Sequence, residues 1–248
     1  MAWLASTDSH YDIIYIDPAR RSAAGRKVVA FEACEPDILQ HMGLLLSRCR
    51  YLLVKASPMI DIELGCRQLK QVIDVYVIAC RGECKEVAFL CGQTQEAPRI
   101  HSIVADGNGH QRFCFTRAEE REAELHLADE VGEYLYEPNV AVMKAGPYAM
   151  LCQEYDVDAL APNTHLYTSD RLVDDFPGRI FRVLREVTLN SKTIKEAIPD
   201  GKAHVVTRNY PVAAADLQRQ LGLREGGSLF VVATTLGARR LGLLCQQV

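Results

Sequence analysis

The sequence predicts an α/β protein that opens with part of a parallel sheet and closes with small α+β units. Up to residue 69, short apolar runs alternate with segments of helical periodicity, as parallel strands alternate with crossover helices. Further along, apolar runs lie close together across turn residues, which favours antiparallel pairs. After residue 178, strand-like and helix-like segments alternate again to the end of the chain.

The first predicted domain covers residues 1–97. The run DIIYI is continuous, apolar and bounded by polar residues, as expected of a buried parallel strand. The predicted elements are, in order, a strand at 12–16, a helix at 35–48, a strand at 51–54, a helix at 60–69, and an antiparallel strand pair at 72–79 and 86–91.

Two smaller domains are predicted to follow, at 98–177 and 178–248. The middle domain starts with a hairpin around the turn sequence DGNGH, and continues through an acidic stretch at 119–133 to a helix at 140–155 that is interrupted near Gly146 and Pro147. The last domain is predicted to contain strands at 179–189, 203–207, 229–234 and 241–245, and helices at 191–198 and 213–221.

Composition excludes several functional classes. The chain has 248 residues and a formal charge of -4, so a global basic field does not drive nucleic-acid binding, and any RNA contact must be local. Nine cysteines lie scattered through the sequence, which favours reduced thiols over disulfides. Cys80 and Cys84 have metal-ligand spacing, but no second pair completes a site, so no metal is predicted. Without a leader or membrane span, we expect a cytoplasmic protein.

The chemical signal lies directly after the first predicted strand, in the sequence Asp17-Pro18-Ala19-Arg20. Ligands of open α/β sheets bind outside the carboxyl ends of strands, so a carboxylate placed here can orient or deprotonate a target amine. Arg20 and Arg21 could hold a substrate phosphate or carboxylate. In the alternative interpretation, Asp17 caps a turn and both arginines form solvated ion pairs.

Lys55 and Ser57 follow the next predicted strand and are expected to face the same cleft, where they would position substrate. Lys55 could equally be an ordinary surface charge. Arg81, Glu83 and Lys85 lie between the last two strands of this domain. We interpret these three as a charged turn.

Basic residues of the last domain form a candidate RNA-binding face. Lysines and arginines can contact phosphates, and an exposed tyrosine can stack on a base, although scattered charges are often only a solvated surface. The candidates are Lys192, Lys195, Lys202, Arg208, Asn209 and Tyr210. His165 has no evident nucleophile or carboxylate partner in sequence, and is predicted to be a hydrogen-bonding structural histidine.

In order and spacing, the segments IYIDPARR, CEPD, VKASPMID and RGECKE resemble the later motifs of a bacterial family of class I S-adenosylmethionine-dependent methyltransferases. The segments YLYEPN, AVMKAG, NTHLYTSD and FPGR resemble that family's ferredoxin-like insert. VTRNYPVAAADLQRQLGLREGG and LFVVATTL resemble its THUMP-like C-terminal domain. The resemblance extends from about Tyr11 to Cys245.

The resemblance implies the C-terminal half of a Rossmann-like methyltransferase sheet, followed by ferredoxin-like and THUMP-like α+β domains. It implies S-adenosylmethionine as cofactor and structured RNA as substrate. Asp17, Pro18, Ala19 and Arg20 match the family's fourth motif, so they are the expected catalytic residues. Expected substrate-binding residues are Arg21, Lys55, Ser57, Lys192, Lys195, Arg208, Asn209 and Tyr210.

The resemblance breaks down at the start of the chain. The family places a glycine-rich loop and an acidic residue after earlier strands, but only sixteen residues precede Asp17, so the cofactor-binding residues are not identified. We therefore interpret the chain as a fragment, through a shortened gene, a late start or boundaries chosen for expression. The first strand would then be an exposed edge, open to a homodimer or a complementing N-terminal segment. Alternatives to an enzyme are a noncatalytic RNA-binding module and a nonfunctional remnant.

Overall fold

The structure is a computed structural model that describes residues 2–20, 31, 34–106 and 109–248. The chain forms two compact units. The first comprises Met1–Glu120 and Val140–Gly146, and the second comprises Arg121–Asn139 and Pro147–Val248. Each unit has its own extended sheet, and each is described separately below.

The first unit is built around a six-stranded mixed sheet in the order β1-β4-β6-β5-β7-β8. Its strands are β1 (Tyr11–Ile16), β4 (Cys49–Ala56), β5 (Val72–Cys80), β6 (Glu83–Cys91), β7 (Arg99–Asp106) and β8 (Gly109–Thr116). A separate two-stranded ribbon pairs β2 (Ala19–Arg20) with β3 (Cys34–Glu35). The helices are α1 (Ala2–Ser6), α2 (Ile38–Ser47), α3 (Ile62–Leu69) and α5 (Val140–Ala145), while α4 (Arg117–Glu122) follows the hairpin.

Side-chain caps start the two helices next to the parallel strands. Asp37 accepts a hydrogen bond from the Gln40 amide at the start of α2, and Asp61 accepts one from the Leu64 amide at the start of α3. Each cap satisfies an amide that lacks a partner within the first helical turn. The predicted helices at 35–48 and 60–69 are thus confirmed. Each starts two or three residues later than predicted, directly after its capping aspartate.

The strand pairings agree with most of the expectations from the sequence. β1 runs parallel to β4, and β6 lies antiparallel between β4 and β5. The hairpin predicted from strands at 100–105 and 112–115 is present as β7 and β8, but it differs in its placement, because β7 pairs in parallel with β5 and so extends the first sheet. The sequence grouped this hairpin with the following segment, since adjacency along the chain does not reveal a pairing with an earlier strand.

The second unit contains a seven-stranded sheet in the order β10-β11-β9-β12-β15-β14-β13. Its strands are β9 (Tyr134–Pro138), β10 (Asp158–Ala159), β11 (Tyr167–Ser169), β12 (Gly178–Val187), β13 (His204–Thr207), β14 (Leu229–Leu236) and β15 (Arg239–Gln247). Its helices are α6 (Tyr148–Tyr155), α7 (Ser191–Ala197) and α8 (Ala214–Leu221). The predicted interruption of the 140–155 helix is confirmed, because α5 ends before Gly146 and α6 starts after Pro147.

Apolar residues cover the seven-stranded sheet with two clusters. One cluster surrounds Leu135, Phe181 and Phe230, and the other packs α7 and α8 against Val231 through residues such as Ile194 and Leu217. All nine cysteines are free thiols, as predicted, and five of them are buried. In the described ranges, no helix has both the length and the apolar character needed to cross a bilayer.

Candidate active site at the ends of two parallel strands

Two adjacent parallel strands place a carboxylate and an ammonium group side by side. Ile16, the last residue of β1, is in register with Val54 of β4, so Asp17 and Lys55 are the next residues along each strand. Lys55 Nζ donates a hydrogen bond of 2.8 Å to Asp17 Oδ2. Asp17 and Lys55, which the sequence identified separately as candidate site residues, are therefore joined by a hydrogen bond.

A second carboxylate shares the same lysine. Lys55 lies opposite Ala88 of the antiparallel strand β6, and Glu86 lies two residues further along, on the same face. Lys55 Nζ is 3.4 Å from Glu86 Oε1, and the lysine side chain is 28% exposed. The hydrogen bond from Lys55 to Asp17, aided by Glu86, raises the pKa of Lys55, and partial desolvation opposes this shift only in part.

Asp17 and Lys55 line a cavity of about 230 Å³. Its polar residues come from the ends of β1, β4 and β6, and its apolar wall includes Phe31 and Ile60, which are 1% and 2% exposed. The full lining comprises Asp17, Pro18, Phe31, Cys34, Lys55, Ala56, Ser57, Pro58, Ile60 and Lys85.

The loop after β4 is fixed by local hydrogen bonds. The Ile60 amide donates to the Ser57 carbonyl, and the Met59 amide donates to the Ser57 hydroxyl. Lys144 of α5 donates a 2.7 Å bond to the Ile60 carbonyl from the other side. The Met59 side chain in this loop is 72% exposed.

The arrangement suits a reaction in which a neutral acceptor must be oriented and lose a proton. Asp17 is 51% exposed, and within the described ranges its hydrogen bond to Lys55 engages Oδ2 alone. Oδ1 therefore remains able to accept a hydrogen bond from an acceptor group that enters the cavity. Pro18 restricts the backbone directly after this carboxylate.

The predicted site residues of the first unit divide into two groups. The cavity brings together Asp17, Pro18, Lys55 and Ser57. Ala19 and Arg20 lie in the short strand β2, paired with β3, and the Arg20 side chain and all of Arg21 lie outside the described residues. Sequence reasoning missed Glu86, Phe31 and Ile60 as neighbours of this site, and it interpreted Lys85 as part of a turn although Lys85 lines the cavity.

The remaining predicted residues lie in the second unit. Lys192 and Lys195 are exposed on α7. Arg208 forms an ion pair with Glu137, and the Asn209 side chain donates to the Thr164 hydroxyl. Tyr210 is half-buried against the α7–α8 cluster, so packing within the unit, rather than open solvent, surrounds part of its ring.

The sequence predicted His165 to be a hydrogen-bonding structural histidine, and the structure shows it held by ring stacking. Its ring stacks on Tyr148 with centroids 4.0 Å apart, and its backbone is left-handed at φ +52°. Burial, with a smaller contribution from the charge of Arg208, lowers the pKa of His165. Across the described ranges, no group of three or more His, Cys, Asp or Glu side chains is placed to hold a metal ion.

Comparison with known proteins shows what this chain is similar to. A family described as a ferredoxin-like domain matches residues 134–177, and one described as THUMP domain-like matches residues 178–247. Two uncharacterised S-adenosylmethionine-dependent methyltransferases of Mycobacterium tuberculosis, from strains CDC 1551 / Oshkosh and ATCC 25618 / H37Rv, are each 27% identical over 240 residues. Each match covers 92% of this chain and 62% of the relative.

A solved structure agrees with these matches. The crystal structure of a candidate methyltransferase from Porphyromonas gingivalis W83 superposes with a TM-score of 0.87 at 31% identity, over 96% of this chain and 60% of that chain. The chain therefore spans about three fifths of the length of the proteins it matches. These findings confirm the resemblance and the fold class that the sequence predicted, including the ferredoxin-like and THUMP-like parts.

Proposed function

We propose that this chain, a relative of S-adenosylmethionine-dependent methyltransferases, takes part in methylating a base in structured RNA. The observation that carries the proposal is the Asp17–Lys55 pair at the carboxyl ends of two parallel strands, inside a cavity with an apolar wall. A planar base can pack against such a wall while its polar edge meets Asp17. The THUMP-like match at 178–247 supports RNA as the substrate class.

The described residues would form only one end of a cofactor site. A cavity of about 230 Å³ is smaller than the usual range for a drug-sized ligand, so these residues can form only the wall around the reacting groups. When bound, S-adenosylmethionine supplies an electrophilic methyl group on a positively charged sulfur. Asp17 and Pro18 would lie next to that end, where the negative charge of Asp17 is favourable.

The protein's own residues would act mainly by positioning. Asp17 would accept a hydrogen bond from the acceptor, or take its proton, through Oδ1. Lys55 would hold Asp17 in place through Oδ2, and Glu86 would hold Lys55. Fixing the acceptor in line at close range accounts for a large part of the rate enhancement in such reactions.

A noncatalytic RNA-binding module is the second candidate. The observation that favours it is that the THUMP-like match at residues 178–247 lies in a different unit from Asp17 and Lys55. In this case the first sheet would serve as scaffold, and the second unit would retain the RNA contacts.

Two measurements on the 248-residue chain test the proposal. The first is calorimetric titration with S-adenosylmethionine, and the second is transfer of a labelled methyl group to total RNA. Wild-type transfer that Asp17→Ala abolishes, while cofactor binding is retained, would support the proposed function. Asp216→Asn is the matched control, because Asp216 is a carboxylate paired with Arg219 on α8.

The outcomes separate the two candidates. Unchanged transfer by Asp17→Ala would refute the assignment of the catalytic aspartate. RNA binding without cofactor binding or transfer would favour the noncatalytic module.

A further inference from the structure

A buried carboxylate in the second unit holds two arginines at once. Glu137 of β9 is 4% exposed, and Arg179 is its direct register partner on the neighbouring strand β12. Arg179 Nε donates a 2.8 Å bond to Glu137 Oε2, and Arg179 Nη2 contacts the same oxygen. Arg208 Nη2 forms an ion pair with the other oxygen, Oε1. We call these three residues the arginine clasp.

The clasp requires a curved sheet. Arg208 directly follows β13, and the strands β12, β15 and β14 lie between β13 and β9 in the sheet order. At about 4.8 Å for each strand spacing, a flat sheet would separate these residues further than two side chains reach. The sheet therefore curves towards this face and brings Arg208 to Glu137.

The charge and exposure of the arginine clasp allow it to bind an anion. Two guanidinium groups and one carboxylate give a formal excess of one positive charge. The arginine side chains are 44% and 42% exposed, so they reach solvent while their inner edges contact Glu137. Each guanidinium has about five N–H donors, and the contacts to Glu137 and to the Thr207 carbonyl engage only some of them.

Surrounding contacts make the clasp rigid. The Arg179 guanidinium lies 5.4 Å from the centre of the Phe181 ring, which restricts its side chain. Asn209 donates a 3.1 Å bond to Thr164, and Thr164 donates to the Thr235 carbonyl, so the backbone next to Arg208 is tied to a neighbouring loop. A preorganised pair of guanidiniums loses little conformational entropy when it binds a phosphate.

A purely structural ion pair does not require this arrangement. One arginine is enough to neutralise Glu137, and the second adds a half-exposed positive charge where the segments 134–177 and 178–247 meet in one sheet. We infer that Arg179 and Arg208 together bind one backbone phosphate of RNA, and that Glu137 fixes their spacing. This inference rests on the proposed function, because it takes RNA as the ligand.

The test is an anisotropy titration of a labelled structured RNA with the full chain at several salt concentrations. Arg179→Gln and Arg208→Gln are each expected to weaken binding about tenfold, and to reduce the salt slope of the affinity by about one. Arg171→Gln is the matched control, because Arg171 is an exposed arginine of the same unit that is paired with Asp156. It should leave both the affinity and the slope unchanged.

A further variant separates phosphate binding from a structural role. Glu137→Gln removes the competing carboxylate charge but keeps both arginines, so it should bind RNA at least as tightly as the wild type even if its melting temperature falls. The inference would be overturned by two results together. Glu137→Gln would lose RNA affinity in proportion to its loss of melting temperature, and both arginine variants would keep the wild-type salt slope.

The inference and the proposed function fail in different ways. Tight RNA binding that neither arginine variant alters would refute the clasp as a phosphate site, but it would leave the proposed substrate class intact. No RNA binding by the wild-type chain would refute both. Loss of methyl transfer with normal RNA binding would concern only the first unit.

Discussion

Lys55 Nζ donates a 2.8 Å hydrogen bond to Asp17 Oδ2, and this bond joins two residues that are 38 positions apart in the sequence. Neither residue is buried deeply, since their side chains are 28% and 51% exposed. The pair therefore adds little to stability, as exposed ion pairs generally do. Its consequence is positional, because it fixes one oxygen of Asp17 at the mouth of the cavity.

Removal of Asp17 should lower the pKa of Lys55. The hydrogen bond to Asp17 is the largest cause of the raised pKa of this lysine. A lysine whose pKa is raised in the folded state contributes its full stabilisation at pH values below the ordinary lysine pKa. This contribution is lost as the pH rises through the lysine pKa of the folded protein. NMR titration of the Lys55 Nζ signal should show an upward shift in the wild type, and a smaller one in Asp17→Asn.

The control is Asp216→Asn, which removes a carboxylate from the second unit and should not change the titration of Lys55. An identical Lys55 pKa in wild type and Asp17→Asn would show that the pair does not form in solution.

Acid should destabilise the second unit partly through His165. Burial lowers the pKa of this histidine, so the unfolded chain binds more protons than the folded chain below about pH 6.5. Stability is then lost as the pH falls through this range. Asparagine tolerates the left-handed backbone of residue 165. His165→Asn should therefore flatten the dependence of melting temperature on pH between 7 and 5.

Replacement of the exposed His126 by Asn is the matched control, because its side chain is 54% exposed. Equal acid sensitivity of the wild type and His165→Asn would exclude His165 as a source of that sensitivity.

Two cysteines should resist alkylation in the native protein. Burial raises the pKa of Cys91 and of Cys245 to about 12 in each case, and both thiols are 0% exposed. Because the thiolate is the reactive form, iodoacetamide at pH 8 should leave both unmodified, whereas denaturation should expose them. Peptide mass spectrometry after a timed reaction checks this expectation, with the half-buried Cys80 as internal reference. Modification of Cys91 or Cys245 as fast as Cys80 would contradict the burial seen here.

Gly178 should not tolerate a side chain. A Cβ atom at this position would lie 2.0 Å from the Glu137 carbonyl oxygen, so strands β9 and β12, which carry Glu137 and Arg179 of the arginine clasp, would have to separate. Gly178→Ala should lower the free energy of unfolding by about 1–3 kcal/mol, the usual cost of overpacking. Denaturant unfolding followed by circular dichroism measures this change.

Gly43→Ala should change the free energy of unfolding in the opposite direction. Gly43 lies inside α2, and an added Cβ would meet nothing within 4 Å. Alanine there should raise the free energy of unfolding by about 0.5–1 kcal/mol through helix propensity. The prediction fails if both alanine variants change stability in the same direction.

The edge of the first sheet should promote self-association. β1 is the outermost strand of its sheet within the described ranges, and it exposes Ile13 and Tyr15 at 56% and 57%. We expect two copies of the chain to pair along this edge, so light scattering should show a dimer at micromolar concentration. Ile13→Lys should shift it towards monomer, because an edge lysine opposes strand pairing.

Leu127→Lys is the matched control, since Leu127 is 50% exposed in the second unit. A monomeric wild-type chain at all concentrations would refute pairing of two copies. Equal dimer content in Ile13→Lys and Leu127→Lys would place the contact elsewhere.

Local signals in the sequence were enough to predict most of the elements and one side of the site. The apolar run DIIYI predicted a buried strand before Asp17-Pro18. The strand β1 forms there, but none of its residues is buried, and Ile13 and Tyr15 are 56% and 57% exposed. Helix breaks at Gly146 and Pro147, and caps at Asp37 and Asp61, likewise act over a few residues. The order of motifs along the chain carried the resemblance that the comparisons confirmed.

The sequence by itself determined most of the strands and helices and the residue types at the strand ends, because these depend on periodicity and on neighbours a few residues away. Only the tertiary structure decided which distant charges meet. Glu86 joins Lys55 because β6 lies between β4 and β5, and Arg208 reaches Glu137 because the second sheet curves. Such contacts depend on strand order and sheet curvature, which arise from packing of the whole unit and leave no local pattern in the sequence.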